Sequence, residues 1–380
     1  MYLAERIRLY PTSEQEELFR KFAGAARFAY NACLGYKISR YTNENLNTTV
    51  SDCRAYLRDL RDNKKEYAWL SEIPMSITYQ AIEDLETAYK NFFKRGNKGF
   101  PRFKKKGRCR DSFYQRTDRF CMPDETHVKI TGIKSYIRIK KHPIITKVSN
   151  SRVTFDGKYW YLSYGYEVEP KSKSTSNHVI GIDLGIKNLA VTSDNVTYAN
   201  INKSKHVRQL NKRKKRLQRQ LSKKFEMNKV GNTFVKTNNI IKLQDKLRQI
   251  DRTLREIRKT YNHTVTKELV KTTPKAIVIE DLNVKGLMKN RHLSKAIGEQ
   301  GWYQIRQMLE YKCQLYGIQL IVADRFYASS KLCSHCGAKK VDLQLSDRLY
   351  VCDKCMTSID RDYNAALNLQ MYGKNILKIA

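Results

Sequence analysis

Three acidic residues lie at the ends of predicted elements, where their side chains could meet in one site. Asp183 is embedded in the apolar run 179–185 between two glycines, Glu280 ends a second apolar run, and Asp362 opens a predicted helix. A carboxylate inside an apolar strand is unfavourable unless a cation or a proton compensates it. Mg²⁺ prefers oxygen ligands, and two such ions can activate a water and stabilise the leaving oxygen in phosphodiester hydrolysis. We therefore predict a catalytic site with two Mg²⁺ ions held by these carboxylates.

Each acid also has a simpler explanation. Taken alone, Asp362 could be a stabilising acid at a helix N-terminus, and the other two could be salt-bridge partners in a basic protein. The role of Asp360, two residues earlier, stays open. The sequence contains no Ser/His/Asp constellation, P-loop or dinucleotide fingerprint that would compete for the catalytic role. The carboxylate set is therefore the favoured hypothesis.

The cysteines predict a second metal site. Of nine cysteines, four form two C-x2-C pairs separated by 15 residues: Cys333, Cys336, Cys352 and Cys355. Two such knuckles typically complete a tetrahedral site for one structural Zn²⁺, with no open position for water. Two redox-active pairs are the disfavoured alternative. His335 lies inside the first knuckle and could be a ligand, but four thiolates suffice, so we expect it to be a bystander.

The charge of the chain predicts a polyanionic partner. Lys and Arg total 73 against 37 Asp and Glu, a formal net charge of +36. The mean hydropathy of −0.64 and the absence of a long apolar run argue against a membrane partner. The N-terminus lacks a secretory signal, which predicts a cytoplasmic protein. We also expect it to be associated with the nucleoid of a prokaryote. The excess charge is concentrated in residues 94–110 and 203–259. We expect a phosphate backbone to contact Arg102, Lys104, Lys105, Lys106, Lys212, Arg213, Lys214, Lys215 and Arg216.

The N-terminal half combines helices with a strand-rich region. Residues 4–10 predict a strand, and Ser13 with Glu16 predicts a capping box for the helix that follows. Further helices are expected near residues 51–61 and 76–93. From about 117 to 168 the apolar pattern has period 2, which predicts a small antiparallel barrel completed by the first strand, with the helices inserted.

The C-terminal half has a mixed α/β pattern after a Lys/Ser-rich linker. Within residues 203–259, apolar residues at alternating spacings of four and three predict a helix that packs on a partner helix. Gly231 and Asn232 are expected to break the segment into a helical hairpin.

Several motifs, in order, give the sequence a family likeness. They are Ile7-Arg8-Leu9-Tyr10-Pro11-Thr12, Gly99-Phe100-Pro101-Arg102-Phe103, Gly181-Ile182-Asp183-Leu184-Gly185, Ile279-Glu280-Asp281-Leu282, the four-cysteine ribbon, and Asp360-Arg361-Asp362-Tyr363-Asn364-Ala365-Ala366. The sequence resembles TnpB, a family of insertion-sequence-encoded, RNA-guided nucleases related to type V CRISPR effectors. The resemblance covers nearly the whole chain. It places the catalytic triad on Asp183, Glu280 and Asp362 and the zinc ligands on the paired cysteines.

The resemblance also implies an architecture of α/β and α+β domains. A wedge-like β-barrel domain would comprise residues 1–12 and 105–170, with an inserted helical recognition domain at 13–104. After a linker at 171–177, an RNase H-like (RuvC) nuclease domain would span 178–380, with the zinc ribbon inserted at 328–358.

The implied function is RNA-guided cleavage of double-stranded DNA beside a short target-adjacent motif. The implied partners are a guide RNA from the end of the element and target DNA, in a monomeric ribonucleoprotein. Two alternatives stay open: a catalytically silent RNA- or DNA-binding regulator on the same fold, and a DNA-strand-transferring transposase.

Overall fold

A computed structural model describes residues 1–94, 99–172, 176–344 and 347–379. The chain divides into two units, Met1–Val168 and Glu169–Ala380. The boundary between them falls close to the predicted linker, of which residues 173–175 lie outside the described residues. The finer domain limits given above stay predictions.

The first unit is built on a seven-stranded antiparallel sheet. The strands are β1 (Tyr2–Tyr10), β2 (Ser112–Tyr114), β3 (Cys121–Asp124), β4 (His127–Lys129), β5 (Ile137–Ile139), β6 (Ser149–Phe155) and β7 (Trp160–Glu167), in the order β2-β6-β7-β1-β5-β4-β3. The N-terminal strand thus lies in the middle of the sheet, paired with β7 and β5. Among the described residues no ladder joins β2 to β3, so closure into the expected barrel stays a prediction.

Three α-helices follow β1 and precede the rest of the sheet. They are α1 (Ser13–Glu44), α2 (Val50–Asn63) and α3 (Met75–Phe93), with a 3₁₀ helix at Lys65–Glu72. The predicted capping box is shifted by one residue. Thr12, not Ser13, is the N-cap: its Oγ1 accepts from the backbone N of Gln15 at 3.3 Å, and Gln15 Oε1 accepts from the backbone N of Thr12 at 2.9 Å. Gln fills the third helical position of a capping box as well as Glu does, so both frames satisfy the sequence pattern.

Aromatic side chains join α1 to this sheet. The rings of Phe19 and Trp160 lie 5.1 Å apart, and those of Phe22 and Phe113 lie 5.4 Å apart. All four side chains are buried. The contact helps to explain why helices inserted between strands form one core with the sheet.

The second unit contains a five-stranded mixed sheet. Its strands are β8 (Val179–Leu184), β9 (Asn188–Thr192), β10 (Thr197–Ala199), β13 (Ala276–Glu280) and β14 (Gln319–Ala323), in the order β10-β9-β8-β13-β14. Strand β9 returns antiparallel beside β8, whereas β13 lies between β8 and β14 and is parallel to both. The three parallel strands therefore present their carboxyl ends at one edge.

The predicted helical hairpin is confirmed. Helices α4 (Lys205–Met227) and α5 (Asn238–Lys271) are joined by two short strands, β11 (Lys229–Val230) and β12 (Thr233–Phe234). Gly231 lies in this turn with φ +58°, a left-handed conformation that favours glycine. The predicted apolar seam packs Ile250, Leu254 and Ile257 of α5 with Val207, Leu210 and Leu217 of α4.

The remaining elements complete the second unit. They are α6 (Val284–Leu287), α7 (Ser294–Gln300), α8 (Trp302–Tyr316), the hairpin β15 (Leu349–Val351) and β16 (Ser358–Asp360), and α9 (Arg361–Leu377). Over the part of the chain that the structure describes, no helix combines the length and the apolar character required to cross a membrane.

Candidate active site and metal site

The parallel strands bring the first two predicted acids together. Ile182 of β8 is paired in register with Ile279 of β13, so Asp183 and Glu280 are the next residues on neighbouring strands. On the other side of β13, Glu280 is paired with Ala323, the last residue of β14. Residues far apart in the sequence therefore meet at the carboxyl edge of the sheet.

Helix α9 brings the third acid to the same edge, because it lies directly against β8. A Cβ atom at Gly181 would lie 2.1 Å from the carbonyl oxygen of Ala366 and 2.4 Å from the backbone nitrogen of Gln370. The side-chain Nε2 of Gln370 donates to the carbonyl of Val179 at 2.7 Å. Glycine is required at position 181 because the backbones of helix and strand are in contact. Asp362, in the first turn of α9, is thereby placed within electrostatic reach of Asp183.

The electrostatics of the acids fit a cation site. Burial raises the pKa of Asp183 well above its usual value, and the negative charges of Glu280 and Asp362 raise it further, opposed by Arg361. Burial also raises the pKa of Glu280, opposed by a hydrogen bond from Ser329 and by the charge of Arg361. A raised carboxyl pKa means that the charged form lacks compensation, which a divalent cation would supply. The described residues do not, however, include three carboxylates gathered as closely as the cysteines described below.

Two neighbouring acids have other roles. Asp360 is the N-cap of α9, and its Oδ1 accepts from the backbone nitrogens of Asp362 at 3.0 Å and Tyr363 at 3.1 Å. Asp281 accepts hydrogen bonds from Arg306, at 2.8 Å, and from Arg325, and these two guanidinium groups lower its pKa. Both carboxylates thus have local partners, which answers the question that the sequence left open about Asp360.

The four paired cysteines form one compact group. Their Sγ atoms all lie within 4.8 Å of one another, with Cys333 3.6 Å from Cys355 and Cys336 3.5 Å from Cys352. A tetrahedral zinc–thiolate site with bonds of about 2.3 Å has sulfur atoms about 3.8 Å apart, so the donor set fits Zn²⁺. The short distances join the two knuckles, which favours a shared metal over two separate redox pairs. His335 is exposed and lies outside this group.

Side chains that the sequence did not single out connect the cysteine group to the acids. Asn364 of α9 donates to the carbonyl of Leu332 at 2.7 Å and accepts from the backbone nitrogen of Ser334 at 2.9 Å. Asn368, one turn later, donates to the carbonyls of Ser329 and Leu332 at 2.8 and 2.7 Å. The hydroxyl of Ser329 donates to Glu280 Oε1. The sequence signal that could have pointed to the asparagines is their spacing, since two amides four residues apart lie on one face of an otherwise apolar helix. Ser329 lies in no motif, so no such signal was available for it.

The predicted nucleic-acid contacts are mostly exposed cations. Arg102, Lys105 and Lys106 are exposed, whereas Lys104 is half-buried with its Nζ 3.6 Å from the centre of the Tyr30 ring. Burial lowers the pKa of Lys104, and its backbone exchanges two hydrogen bonds with Asn31. Lys104 thus has a structural role in addition to any contact with phosphate. Of the basic stretch 94–110, residues 95–98 lie outside the described residues.

The basic residues of α4 are also exposed, with one exception. Lys212, Arg213, Lys215 and Arg216 are exposed, whereas Lys214 is partly buried and pairs with Asp251 of α5, at 2.6 Å between Nζ and Oδ1. This ion pair ties α4 to α5 and leaves the other four cations accessible to a phosphate backbone.

Sequence comparisons relate the chain to known proteins. Three family models match: "Cas12f1-like, TNB domain" over residues 302–369, "Probable transposase" over 163–291, and "Helix-turn-helix domain" over 1–45. A relative from Streptomyces pristinaespiralis named "Putative RNA-guided DNA endonuclease" is 32% identical over 378 residues, covering 97% of this chain and 89% of the relative. The chain belongs to the TnpB family. The structure has β1 and the single helix α1 over most of the residues matched as helix-turn-helix.

Two further matches are a second curated relative and a solved structure. A relative from Escherichia coli (strain K12), named "Putative RNA-guided DNA endonuclease InsQ", is 30% identical over 393 residues, which cover 98% of this chain and 93% of the relative. A solved structure, the cryo-EM structure of a Cas12f1–sgRNA–target DNA complex, is 17% identical with a TM-score of 0.38 and covers 97% of this chain and 99% of that one.

Proposed function

We propose that this TnpB-family protein is an RNA-guided, metal-dependent endonuclease that hydrolyses DNA at the site formed by Asp183, Glu280 and Asp362. The observation that carries the proposal is the convergence of these acids at one sheet edge, where Asp183 is buried beside the charges of the other two. The names of the relatives support the guide and the substrate class. Retention of all three acids argues against a catalytically silent regulator.

Each residue of the site has a separate role in this proposal. Asp183, Glu280 and Asp362 would hold two Mg²⁺ ions, which when bound supply an activated water and stabilisation of the leaving 3′ oxygen. Ser329 fixes the orientation of the Glu280 carboxylate by its hydrogen bond. Arg361 is the cation that offsets part of the negative charge on Asp183 and Glu280. Asp360, as the N-cap, holds the first turn of α9 and hence the position of Asp362.

The rest of the chain is assigned to nucleic-acid binding and structural support. The second unit would be an RNase H-like (RuvC) domain, its ribbon at 328–358 holding one structural Zn²⁺. The first unit, divided into a barrel at 1–12 and 105–170 and a helical part at 13–104, would recognise a short target-adjacent motif. Exposed cations such as Arg102 and Arg213 would hold the guide–target duplex by its backbone, while base pairing selects the sequence. We place the complex, as a monomeric ribonucleoprotein, with the nucleoid in the cytoplasm.

The experiment begins with the guide. The protein is purified from its host and the bound RNA is sequenced; a defined RNA that abuts the gene is expected, whereas random RNA would favour a general nucleic-acid binder. The reconstituted complex is then given plasmids with a matching target and a randomised flanking sequence. Cleavage that needs Mg²⁺, guide and a particular flank is expected.

Matched variants test the site assignment. Asp183→Ala and Glu280→Gln are expected to abolish cleavage and to retain guide and target binding. Asp281→Asn is the control, because this adjacent carboxylate is engaged by Arg306 and Arg325 instead. Normal cleavage by Asp183→Ala would show that the site lies elsewhere. Joining of a labelled element end to target DNA by the protein alone would instead establish a strand-transferring transposase.

A further inference from the structure

The turn that follows β14 holds an unusually exposed aromatic ring beside the carboxylate site. Phe326 is 89% exposed, more than any other large apolar side chain among the described residues. Exposure alone carries no argument, because single apolar side chains are common on protein surfaces. The position of this ring and the way its neighbours are held distinguish it from the other exposed side chains.

Both ends of the turn contact the acidic pair Glu280 and Asp281, which lie at and just after the end of β13. Strand β14 ends at Ala323, which is paired with Glu280. Arg325 donates to Asp281, and Ser329, at the other end of the turn, donates to Glu280. Phe326 therefore lies between Arg325, which contacts Asp281, and Ser329, which contacts the predicted metal ligand Glu280.

The residues on either side of Phe326 are fixed. The hydroxyl of Tyr327 donates to the carbonyl of Asn368 at 3.1 Å, and its ring lies 4.7 Å from that of Tyr372. The backbone nitrogen of Phe326 itself donates to Asp324 Oδ1 at 2.8 Å. An exposed ring on a turn held in this way loses little freedom on binding, which favours a flat ligand.

We propose that Phe326 stacks on an unpaired base of the DNA strand that enters the carboxylate site, and so positions the phosphate to be cut. Stacking on an aromatic ring accepts every base, which suits an enzyme whose sequence choice comes from a guide. The ligand is a single strand, because the bases of a duplex are already stacked on one another. The chain's charge of +36 favours a nucleic acid over an apolar partner. The inference rests on the proposed function.

Fluorescence tests the contact without cleavage. The guide-loaded complex carrying Asp183→Ala is mixed with target DNA that holds 2-aminopurine at successive positions around the cut. The 2-aminopurine fluorescence is expected to be quenched at one position. This quenching should be lost when Phe326→Ala is added and should be retained with Phe326→Tyr. Equal quenching with and without the ring at every position would overturn the proposal. A Phe326-dependent signal found only when the probe is in the guide RNA would overturn it as well.

Cleavage by otherwise unmodified complexes provides the second measurement. Phe326→Ala and Phe326→Leu are expected to slow cleavage about ten- to a hundredfold, the range that follows from loss of one base–aromatic stack. Phe326→Tyr should cut at close to the wild-type rate, and guide loading and melting temperature should not change in any of them. The matched control is Val341→Ala, which removes another exposed apolar side chain of the second unit and should leave the rate unchanged.

The outcomes separate this inference from the proposed function. A wild-type complex that does not cut would remove both. A wild-type complex that cuts, with Phe326→Ala cutting equally fast, would remove only the stacking role. A Leu variant as active as the Tyr variant would also overturn it, because an aliphatic side chain of similar size cannot provide an aromatic stack.

Discussion

Substitution of Gly181 by alanine tests how the fold builds the site. The added Cβ would lie 2.1 Å from the carbonyl oxygen of Ala366. Real Cβ atoms essentially never come within 3.0 Å of a non-bonded atom outside their own and the adjacent residues. Both close contacts are with backbone atoms of α9, so no side-chain rotation can relieve them. The helix must move by about 0.9 Å, given these distances.

That displacement has two consequences of different size. Forcing an extra methyl group into a packed contact costs about 1–3 kcal/mol of stability, so the protein should still fold. Asp362 is in the first turn of α9, and a misplacement of about 1 Å in a catalytic group can slow a reaction about a hundredfold. Activity should therefore fall far more than stability.

The assay pairs guided plasmid cleavage with thermal unfolding. Gly24→Ala, in α1, is the control, because the nearest atom to its Cβ is Arg27 Nη2 at 3.9 Å. The same change there should leave cleavage unchanged and raise stability by about 0.5–1 kcal/mol, since alanine favours helices. If Gly181→Ala cleaves DNA and unfolds as the wild type does, the reasoning is refuted. The direct contact between α9 and β8 would then not determine the position of Asp362.

Three other variants probe the metal sites and their connection. Cys352→Ser should lower bound zinc and unfold the ribbon locally, whereas Cys121→Ser, outside the four-thiolate group, should not; metal analysis of both decides. The folded-state pKa of Asp183 is raised, so the metal-free protein should lose stability as pH rises from about 4 through that pKa. In Mg²⁺-free buffer at pH 7, Asp183→Asn should therefore melt at a higher temperature than the wild type, and added Mg²⁺ should stabilise the wild type more. The opposite order would contradict the assignment. Asn368→Ala should cost about 1–3 kcal/mol because it removes the side chain that donates to the buried carbonyl of Ser329. This variant should also cleave DNA more slowly, because the segment that carries Ser329 loses its hydrogen bond to α9. Unchanged unfolding and cleavage would argue against a role of Asn368 in connecting that segment to α9.

Features set by short-range spacing could be predicted from the sequence. The two C-x2-C knuckles predict four ligands because each knuckle brings its own thiolates together. The break at Gly231 was predictable because it interrupts an otherwise helical pattern, and the structure confirms the hairpin. The strand–hairpin pairing of β8 with β9 follows in the same way from their short connection.

Features that depend on competing local choices were less predictable. Ser13 and Glu16 satisfy the same capping pattern as Thr12 and Gln15, and only the geometry of the chain entering α1 selects between them. From the local sequence alone, Asp360 and Asp362 are equally suited to be the metal ligand. The hydrogen bonds that Asp360 accepts from the start of α9 identify it as the cap.

The sequence by itself determined which residues could do chemistry: three acids at the ends of elements, four paired cysteines and two concentrations of positive charge. Its motifs were sufficient to indicate the TnpB family. Only the tertiary structure decided how these residues are supported. The contact of α9 with Gly181, the asparagines that tie α9 to the ribbon, and Ser329 beside Glu280 join segments up to 189 residues apart in the sequence. The sequence pattern reports which side chains face a core, but distances of this kind depend on how closely two backbones pack, and no local spacing encodes that.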